Sequence, residues 1–117
     1  MLLYIVRHGE TDWNKIHRVQ GCTDIPLNDY GRHLARETAE GMKDLRIDMG
    51  YTSPLIRAKE TAQIILAGRD IPLYEDERIQ EMNFGTYEGL KSGGDDKDER
   101  SEAFSLFFTD TASYIPP

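Results

Sequence analysis

Apolar and polar positions along the chain predict strands and helices in turn. An unbroken apolar run over residues 2–6 ends abruptly in charged and polar residues, which predicts a first strand over Leu2–Arg7 that is buried on both faces. Two further short apolar runs predict a second strand over Met49–Thr52 and a third over Ile71–Tyr74. Gly50 interrupts the second run, so that strand should be short.

Two segments between the predicted strands carry apolar residues at helical spacing. The first covers roughly Asp29–Lys43 and follows Asn28, a residue type that caps helix N-termini well. Its predicted inward face is Leu34, Ala35, Ala39, Met42 and Leu45. The second begins at Ser53-Pro54, with the serine as cap and the proline at the first helical position, and ends before Gly68. Its predicted inward face is Leu55, Ala58, Ala62, Ile65 and Leu66. Because strands separated by helices pair in parallel through right-handed crossovers, an α/β fold follows.

The composition changes after residue 90. Residues 91–99 contain no apolar side chain, which predicts a mobile polar loop over 91–100. A plain solvated loop and a lid over a substrate both fit this segment. The three phenylalanines between Ala103 and Phe108 predict one or two amphipathic helical turns, which either pack in the core or cover the mouth of a pocket.

Composition, charge and cysteine content argue against some classes of partner and location. With 117 residues, 38% hydrophobic and 30% charged, the chain fits one globular domain. A formal net charge of −7, with no cluster of Lys and Arg, argues against a nucleic-acid partner. The N-terminal apolar run is too short for a signal peptide or a membrane span, so we expect no membrane partner. Cys22 is the single cysteine and is expected to be a small, partly buried thiol; a reducing, cytoplasmic location fits best.

The residues that carry chemistry follow the first predicted strand directly. Arg7, His8 and Gly9 lie where that strand reaches the edge of the sheet, which is where open α/β sheets bind ligands. An arginine offers a fork of donors suited to phosphate, and a neutral imidazole is a nucleophile for phosphorus. Gly9 permits close approach of the backbone. The segment therefore predicts a phosphate site.

Further motifs extend this segment into a family pattern. They are Arg7-His8-Gly9-Glu10-Thr11 with Trp13-Asn14, Gln20-Gly21, Asp24-Ile25-Pro26-Leu27 with Gly31, Ser53-Pro54-Leu55-Ile56-Arg57-Ala58 with Thr61-Ala62, and the run from Glu81 to Gly89. In this order they resemble the histidine phosphatase superfamily, whose best-known branch is the cofactor-dependent phosphoglycerate mutases. The resemblance implies a three-layer fold in which helices flank a mainly parallel sheet.

The resemblance also implies roles for individual residues. His8 would be the nucleophile, Arg7 and Arg57 would hold the phosphoryl oxygens, and Glu81 would be the proton donor, with Glu88 and Glu10 as alternative acids. The residues expected to bind substrate are Asn14, Gln20, Gly21 and Glu10. A small phosphorylated metabolite is the expected partner, and no metal or other cofactor is implied.

Two features of the sequence bear on which member of the family the chain resembles and on how complete its domain is. Met82 and Asn83 stand where mutases usually have an Arg or a His-Tyr pair, which favours a phosphatase over a phosphoglycerate mutase. The family's second active-site histidine is missing, because only His8, His17 and His33 are present and the last two are expected on the surface. We therefore expect residues 1–117 to be the N-terminal part of a single domain that is incomplete at the C-terminus. A non-catalytic phosphate-binding module is the alternative, and the oligomeric state is not determined by the sequence.

Overall fold

The computed structural model describes residues 1–93 and 99–117. In chain order the elements are α1 (Asp12–Lys15), α2 (Asp29–Met42), β1 (Gly50–Thr52), α3 (Ile56–Ile65), β2 (Leu73–Glu75), two 3-10 turns (Glu77–Ile79 and Gly85–Tyr87) and α4 (Glu99–Thr109). Residues 94–98 of the predicted polar loop over 91–100 lie outside the described residues, and its last two residues belong to α4 rather than to a loop. None of the helices in the described ranges is long and apolar enough to span a membrane.

The chain forms two compact units. The first contains Met1–Thr11 and Pro26–Gln80, and the second contains Asp12–Ile25 and Glu81–Pro117. In the first unit, β1 and β2 pair in parallel, with Tyr51 opposite Tyr74. α3 connects these two strands and packs on both of them as well as on α2. The α/β fold with a small parallel sheet and helices is thus as predicted. β1 begins one residue later than predicted, and β2 begins two residues later and ends one residue later than predicted.

The ends of α2 are fixed by side chains. Asn28 caps the N-terminus as predicted, because its Oδ1 accepts from the Gly31 N–H at 2.8 Å. At the other end, Arg69 donates to the carbonyl oxygens of Met42, at 3.2 Å, and of Leu45. A cation that binds these last carbonyls also complements the helix dipole. α2 is therefore held at both termini within the first unit.

The start of α3 differs from its prediction. The helix begins at Ile56, with Leu55 as the capping residue, rather than at Ser53-Pro54. Ser53 forms a local turn instead, in which its Oγ accepts from the Leu55 N–H at 3.2 Å. Leu34 on α2 was predicted to face inward but is 37% exposed. Arg57 on α3 was not predicted to face inward but is only 2% exposed. Helical spacing identified the face of α3, but it gave no reason to bury a guanidinium there.

The predicted first strand is not formed. Leu2–Arg7 pairs with no strand of the described chain, and its apolar side chains are exposed, Leu2 to 76% and Ile5 to 88%. A strand requires a neighbour that pairs with its backbone N–H and C=O groups, and residues 1–93 and 99–117 provide none for this segment. The prediction of a strand buried on both faces is therefore wrong for the structure as described.

The second unit is built around a small aromatic core. Val19, Leu90 and Phe104 are its buried members, and Phe84, Tyr87 and Tyr114 pack against them. The segments that contain Val19 and Leu90 are antiparallel neighbours: the Val19 N–H donates to the Leu90 carbonyl at 2.9 Å. α4 is longer than the one or two turns predicted and places Phe104 in this core, whereas Phe108 remains 71% exposed.

Candidate active site

The imidazole of His8 is oriented by the main chain of the next residue. His8 is half-buried in the first unit, and its Nδ1 lies 2.7 Å from the carbonyl oxygen of Gly9. A carbonyl oxygen can only accept, so Nδ1 bears a proton, and in the neutral imidazole the lone pair is on Nε2. This is the tautomer that a nucleophilic histidine needs, because Nε2 is the outer nitrogen of the ring.

Thr61 connects the His8 segment to α3. Its Oγ1 accepts from the Gly9 N–H at 3.1 Å and donates to the Arg57 carbonyl at 2.7 Å. Thr61 is 5% exposed, and Arg57, one helical turn earlier, is 2% exposed. One hydroxyl therefore satisfies a backbone donor beside His8 and ties it to the turn of α3 that carries Arg57. The sequence motif included Thr61, but the role of its hydroxyl was not predicted.

The first turn of α2 packs directly on the backbone that follows His8. A Cβ added at Gly9 would lie 2.5 Å from the Gly31 carbonyl oxygen, and one added at Gly31 would lie 2.1 Å from the Glu10 carbonyl oxygen. Asn28 completes the contact: its N–H donates to the Glu10 carbonyl at 3.0 Å and its amide to the Glu10 carboxylate at 2.9 Å. The two glycines allow this approach, and the Glu10 carboxylate is used to hold α2.

Arg7 and His8 also line a cavity of about 460 Å³ within the first unit. Its lining residues are Arg7, His8, Gly9, Leu34, Ala35, Glu37, Thr38 and Thr61. Arg7 is exposed, so its guanidinium is accessible to an anion. Arg57 is not among the lining residues, and its carbonyl oxygen accepts from the Thr61 hydroxyl, which also contacts the Gly9 N–H.

The remaining predicted site residues lie in the second unit. Asn14 is in α1 and half-buried, and Gln20 and Gly21 are buried in the turn that follows Val19. Glu81 is exposed, and its carboxylate accepts from the Met82 N–H at 2.8 Å. The structure thus gathers Arg7, His8, Glu10 and Arg57 in one unit and Asn14, Gln20, Gly21 and Glu81 in the other.

The resemblance offers Glu88 as an alternative acid, but in the structure its carboxylate acts as a hydrogen-bond acceptor. Its carboxylate accepts from the N–H groups of Cys22, at 2.8 Å, and Phe84, at 3.1 Å, and from the hydroxyl of Thr23. Partial burial alone would raise the pKa of this carboxyl, but the hydrogen bonds from Thr23, Cys22 and Phe84 outweigh it and lower the pKa. A carboxyl with a lowered pKa is a poor proton donor at neutral pH.

The other two histidines lie on the surface, as predicted. His17 is exposed and adopts a positive φ of 56°, and its carbonyl accepts from the Ser92 N–H at 2.8 Å. His33 is exposed on α2, with its ring centroid 6.3 Å from that of Tyr30. Cys22 is partly buried, also as predicted, and its Sγ donates to the Glu81 carbonyl at 3.1 Å.

Comparison with known proteins decides the family. A family model described as "Histidine phosphatase superfamily (branch 1)" matches residues 3–117. The chain belongs to the histidine phosphatase superfamily. This assignment covers every motif on which the resemblance in the sequence was based, from Arg7-His8-Gly9 to the run ending at Gly89.

Individual relatives of the superfamily include both phosphatases and mutases. The chain is 50% identical over 86 residues to the uncharacterized phosphatase PhoE of Bacillus subtilis, a match that covers 74% of this chain and 45% of PhoE. Among solved structures, Bacillus stearothermophilus YhfR has a TM-score of 0.80 at 37% identity, over 94% of this chain and 54% of YhfR. Phosphoserine phosphatase from Entamoeba histolytica, in complex with 3-phosphoglyceric acid, has a TM-score of 0.72 at 33% identity, over 92% of this chain and 52% of that protein. Proteins named phosphoglycerate mutase are also similar to this chain.

The chain spans about half the length of the relatives it matches.

Proposed function

We propose that the protein hydrolyses phosphate monoesters of small metabolites through a phosphohistidine intermediate on His8. The observation that carries the proposal is the 2.7 Å contact between His8 Nδ1 and the Gly9 carbonyl, which places the lone pair of the neutral imidazole on Nε2. A nucleophilic nitrogen held in one tautomer, next to an accessible arginine, suits attack on a phosphoryl group.

In the first step, His8 Nε2 attacks phosphorus, and the bond between phosphorus and the ester oxygen breaks. The transferring group spreads its negative charge over three oxygens, which Arg7 and Arg57 would stabilise as fixed cations. The Glu81 carboxyl would give its proton to the departing alcohol oxygen. The products of this step are the free alcohol, the phosphohistidine and the Glu81 carboxylate.

In the second step, a water molecule attacks the phosphohistidine. The Glu81 carboxylate would take a proton from that water while the bond between nitrogen and phosphorus breaks, which releases inorganic phosphate and restores His8. His8 is the nucleophile in the first step and the leaving group in the second, and Glu81 serves as the acid–base group in both. Neither step requires an oxidant or a reductant.

The substrate side of the proposal rests on the remaining polar residues. Asn14, Gln20, Gly21 and Glu10 are proposed to contact the phosphate or the rest of the metabolite. The net charge of −7 would repel a phosphate ester at long range, so positive groups close to His8 must capture it. A related phosphatase was solved in complex with 3-phosphoglyceric acid, which is a small phosphorylated metabolite.

The test compares hydrolysis with phosphate transfer in the full protein. Purified protein is given a set of phosphorylated metabolites, and inorganic phosphate is measured beside any isomerised ester. We expect phosphate release to exceed isomerisation, and we expect His8→Ala to abolish it. His33→Ala is the matched control, because it removes an exposed histidine of the same unit. Isomerised phosphoglycerate as the main product would favour a mutase, and binding without either product would favour a non-catalytic module.

We also propose that residues 1–117 form the N-terminal part of a single histidine phosphatase domain. The exposed apolar run over residues 2–6 supports this, because burial of its side chains would require strands or helices from elsewhere. Amide hydrogen exchange tests it: residues 2–7 should exchange slowly in a full-length protein and fast in residues 1–117 alone. Equal rates in both would contradict it. A cytoplasmic location stays a prediction that rests on the single cysteine.

A further inference from the structure

Glu88 joins two segments that contain proposed site residues. On one side lies the turn over residues 20–23, closed by a hydrogen bond from the Thr23 N–H to the Gln20 carbonyl at 2.9 Å. On the other side lies the segment over residues 81–84. Glu88 Oε1 accepts from the Cys22 N–H of the first and from the Phe84 N–H of the second, and Oε2 accepts from the Thr23 hydroxyl.

Gly21 shows independently that the two segments are in close contact. Its φ of +53° is a conformation that side chains disfavour, and an added Cβ would lie 2.2 Å from Glu88 Oε1 and 3.0 Å from the Met82 carbonyl oxygen. No residue with a side chain fits there without displacing the carboxylate or the backbone. Gly21 thus allows the turn to approach closely enough for the Cys22 N–H to donate to Glu88.

The contact extends to Glu81 itself. The Sγ of Cys22 donates to the Glu81 carbonyl oxygen at 3.1 Å, and the Cys22 N–H is one of the donors to Glu88. Cys22 therefore connects the Glu88 carboxylate to the backbone of the proposed proton donor. Loss of Glu88 would leave the N–H groups of Cys22 and Phe84 without this acceptor, which favours movement of both segments.

We propose that Glu88 is a positioning residue that holds residues 20–23 against residues 81–84 and so fixes the backbone from which Glu81 and Gln20 project. The proposal rests on the proposed function only for the role of Glu81 as acid. The contact itself is independent of catalysis, and the two parts are tested separately.

The first test measures the contact through Cys22. Native protein is labelled with N-ethylmaleimide, and mass spectrometry follows the tryptic peptide 19–32, which contains Cys22. We expect Glu88→Ala to speed labelling by about tenfold or more, since the thiol loses its fixed surroundings. Glu88→Gln should stay near the parent rate, because its amide oxygen still accepts from both N–H groups and its amide nitrogen can donate to Thr23. Glu102→Ala, an exposed glutamate of the same unit, should not change the rate.

The second test measures whether the contact serves Glu81. Hydrolysis of p-nitrophenyl phosphate needs little help from an acid, because nitrophenolate is a good leaving group, whereas an alkyl phosphate needs protonation of its oxygen. In the full protein, Glu88→Ala should therefore lose about tenfold more kcat on the alkyl ester than on the nitrophenyl ester. KM should change less than kcat, Glu88→Gln should restore most of the rate, and Glu81→Gln should show the same dependence on the leaving group.

The outcomes separate the two claims. Parent-like labelling of Cys22 in Glu88→Ala that retains its circular dichroism overturns the contact. If Glu88→Ala does not fold, Glu88→Asp takes its place, because its shorter side chain withdraws the carboxylate from the N–H groups of Cys22 and Phe84, and parent-like labelling there has the same consequence. Faster labelling with equal losses on both esters overturns the positioning of Glu81. Equal losses in Glu81→Gln as well would count against Glu81 as acid, and therefore against that part of the proposed function, while the contact would stand.

Discussion

The N–H of Gly9 donates to the hydroxyl of Thr61 at 3.1 Å, and this bond attaches the segment carrying His8 to helix α3. The same hydroxyl donates to the Arg57 carbonyl at 2.7 Å. Because Thr61 is almost fully buried, water cannot replace it as partner of the Gly9 N–H without a rearrangement. The position of His8 therefore depends on a side chain that is distant in the sequence.

Replacement of Thr61 tests this dependence. Thr61→Val keeps the shape but leaves the Gly9 N–H unsatisfied, which should lower the free energy of unfolding by about 1–3 kcal/mol. Movement of His8 by about 1 Å should lower kcat/KM of the full protein by about 10²-fold. Thr61→Ser retains the hydroxyl and should stay near the parent in both. Urea unfolding and steady-state kinetics measure the two effects, and equal behaviour of the valine and serine variants would contradict the account.

Two glycines of α2 offer a matched pair of substitutions. Gly31→Ala should destabilise the fold, because its Cβ would lie 2.1 Å from the Glu10 carbonyl oxygen, and backbone atoms cannot simply rotate away. Gly41→Ala meets no atom within 4 Å and should stabilise the same helix by up to about 1 kcal/mol. Thermal unfolding of both variants checks the prediction. A Gly31→Ala variant as stable as the parent would show that the close packing of α2 on residues 9–10 is not required.

Arg57 is predicted to contribute a fixed cation to phosphoryl transfer. Arg57→Ala should lower kcat of the full protein by about 10²-fold or more. Arg57→Lys should recover only part of this loss, since an ammonium lacks the planar fork of donors. Arg36→Ala, which removes an exposed arginine of α2, is the control and should have no effect on the rate. Rates of Arg57→Ala equal to the parent would remove Arg57 from the proposed mechanism.

The lowered pKa of Glu88 predicts a contribution to stability that depends on pH. Hydrogen bonds from Thr23, Cys22 and Phe84 outweigh the effect of partial burial and lower this pKa in the folded state. The stabilisation is therefore fully present above the unfolded glutamate pKa of about 4.3 and is lost as the pH falls through the folded value below it. The difference in urea midpoint between the parent and Glu88→Gln should thus be largest near neutral pH and shrink in acid. A difference that grows in acid would have the wrong sign for this account.

The sequence predicted the elements whose signals are local. Asn28 as a cap, the helix that follows it, and the parallel pairing of β1 and β2 all depend on short-range pattern and on the crossover rule. Leu2–Arg7 was predicted as a strand because it is apolar, but a strand is defined by its neighbour, and apolarity does not supply one.

The candidate site shows the same difference between local and distant signals. His8 was singled out by a motif of adjacent residues, and its contact with the Gly9 carbonyl also joins adjacent residues. The roles of Thr61 and Glu88 depend on hydrogen bonds across 52 and 66 positions of the chain, from Gly9 and Cys22 respectively. No local pattern encodes these pairings. The motifs therefore contained Thr61 and Glu88 but did not indicate which backbone groups they bind.

The central claim is that His8 carries the phosphoryl group, and trapping of the intermediate tests it most directly. The full protein is mixed with a phosphate monoester, quenched in base, in which phosphohistidine is stable, and analysed by mass spectrometry and phosphorus NMR. We predict an acid-labile phosphate on His8 that forms and decays at the rate of turnover, is absent from His8→Ala and persists in His33→Ala. Phosphate bound at another residue, or turnover by His8→Ala at the parent rate, would contradict the account.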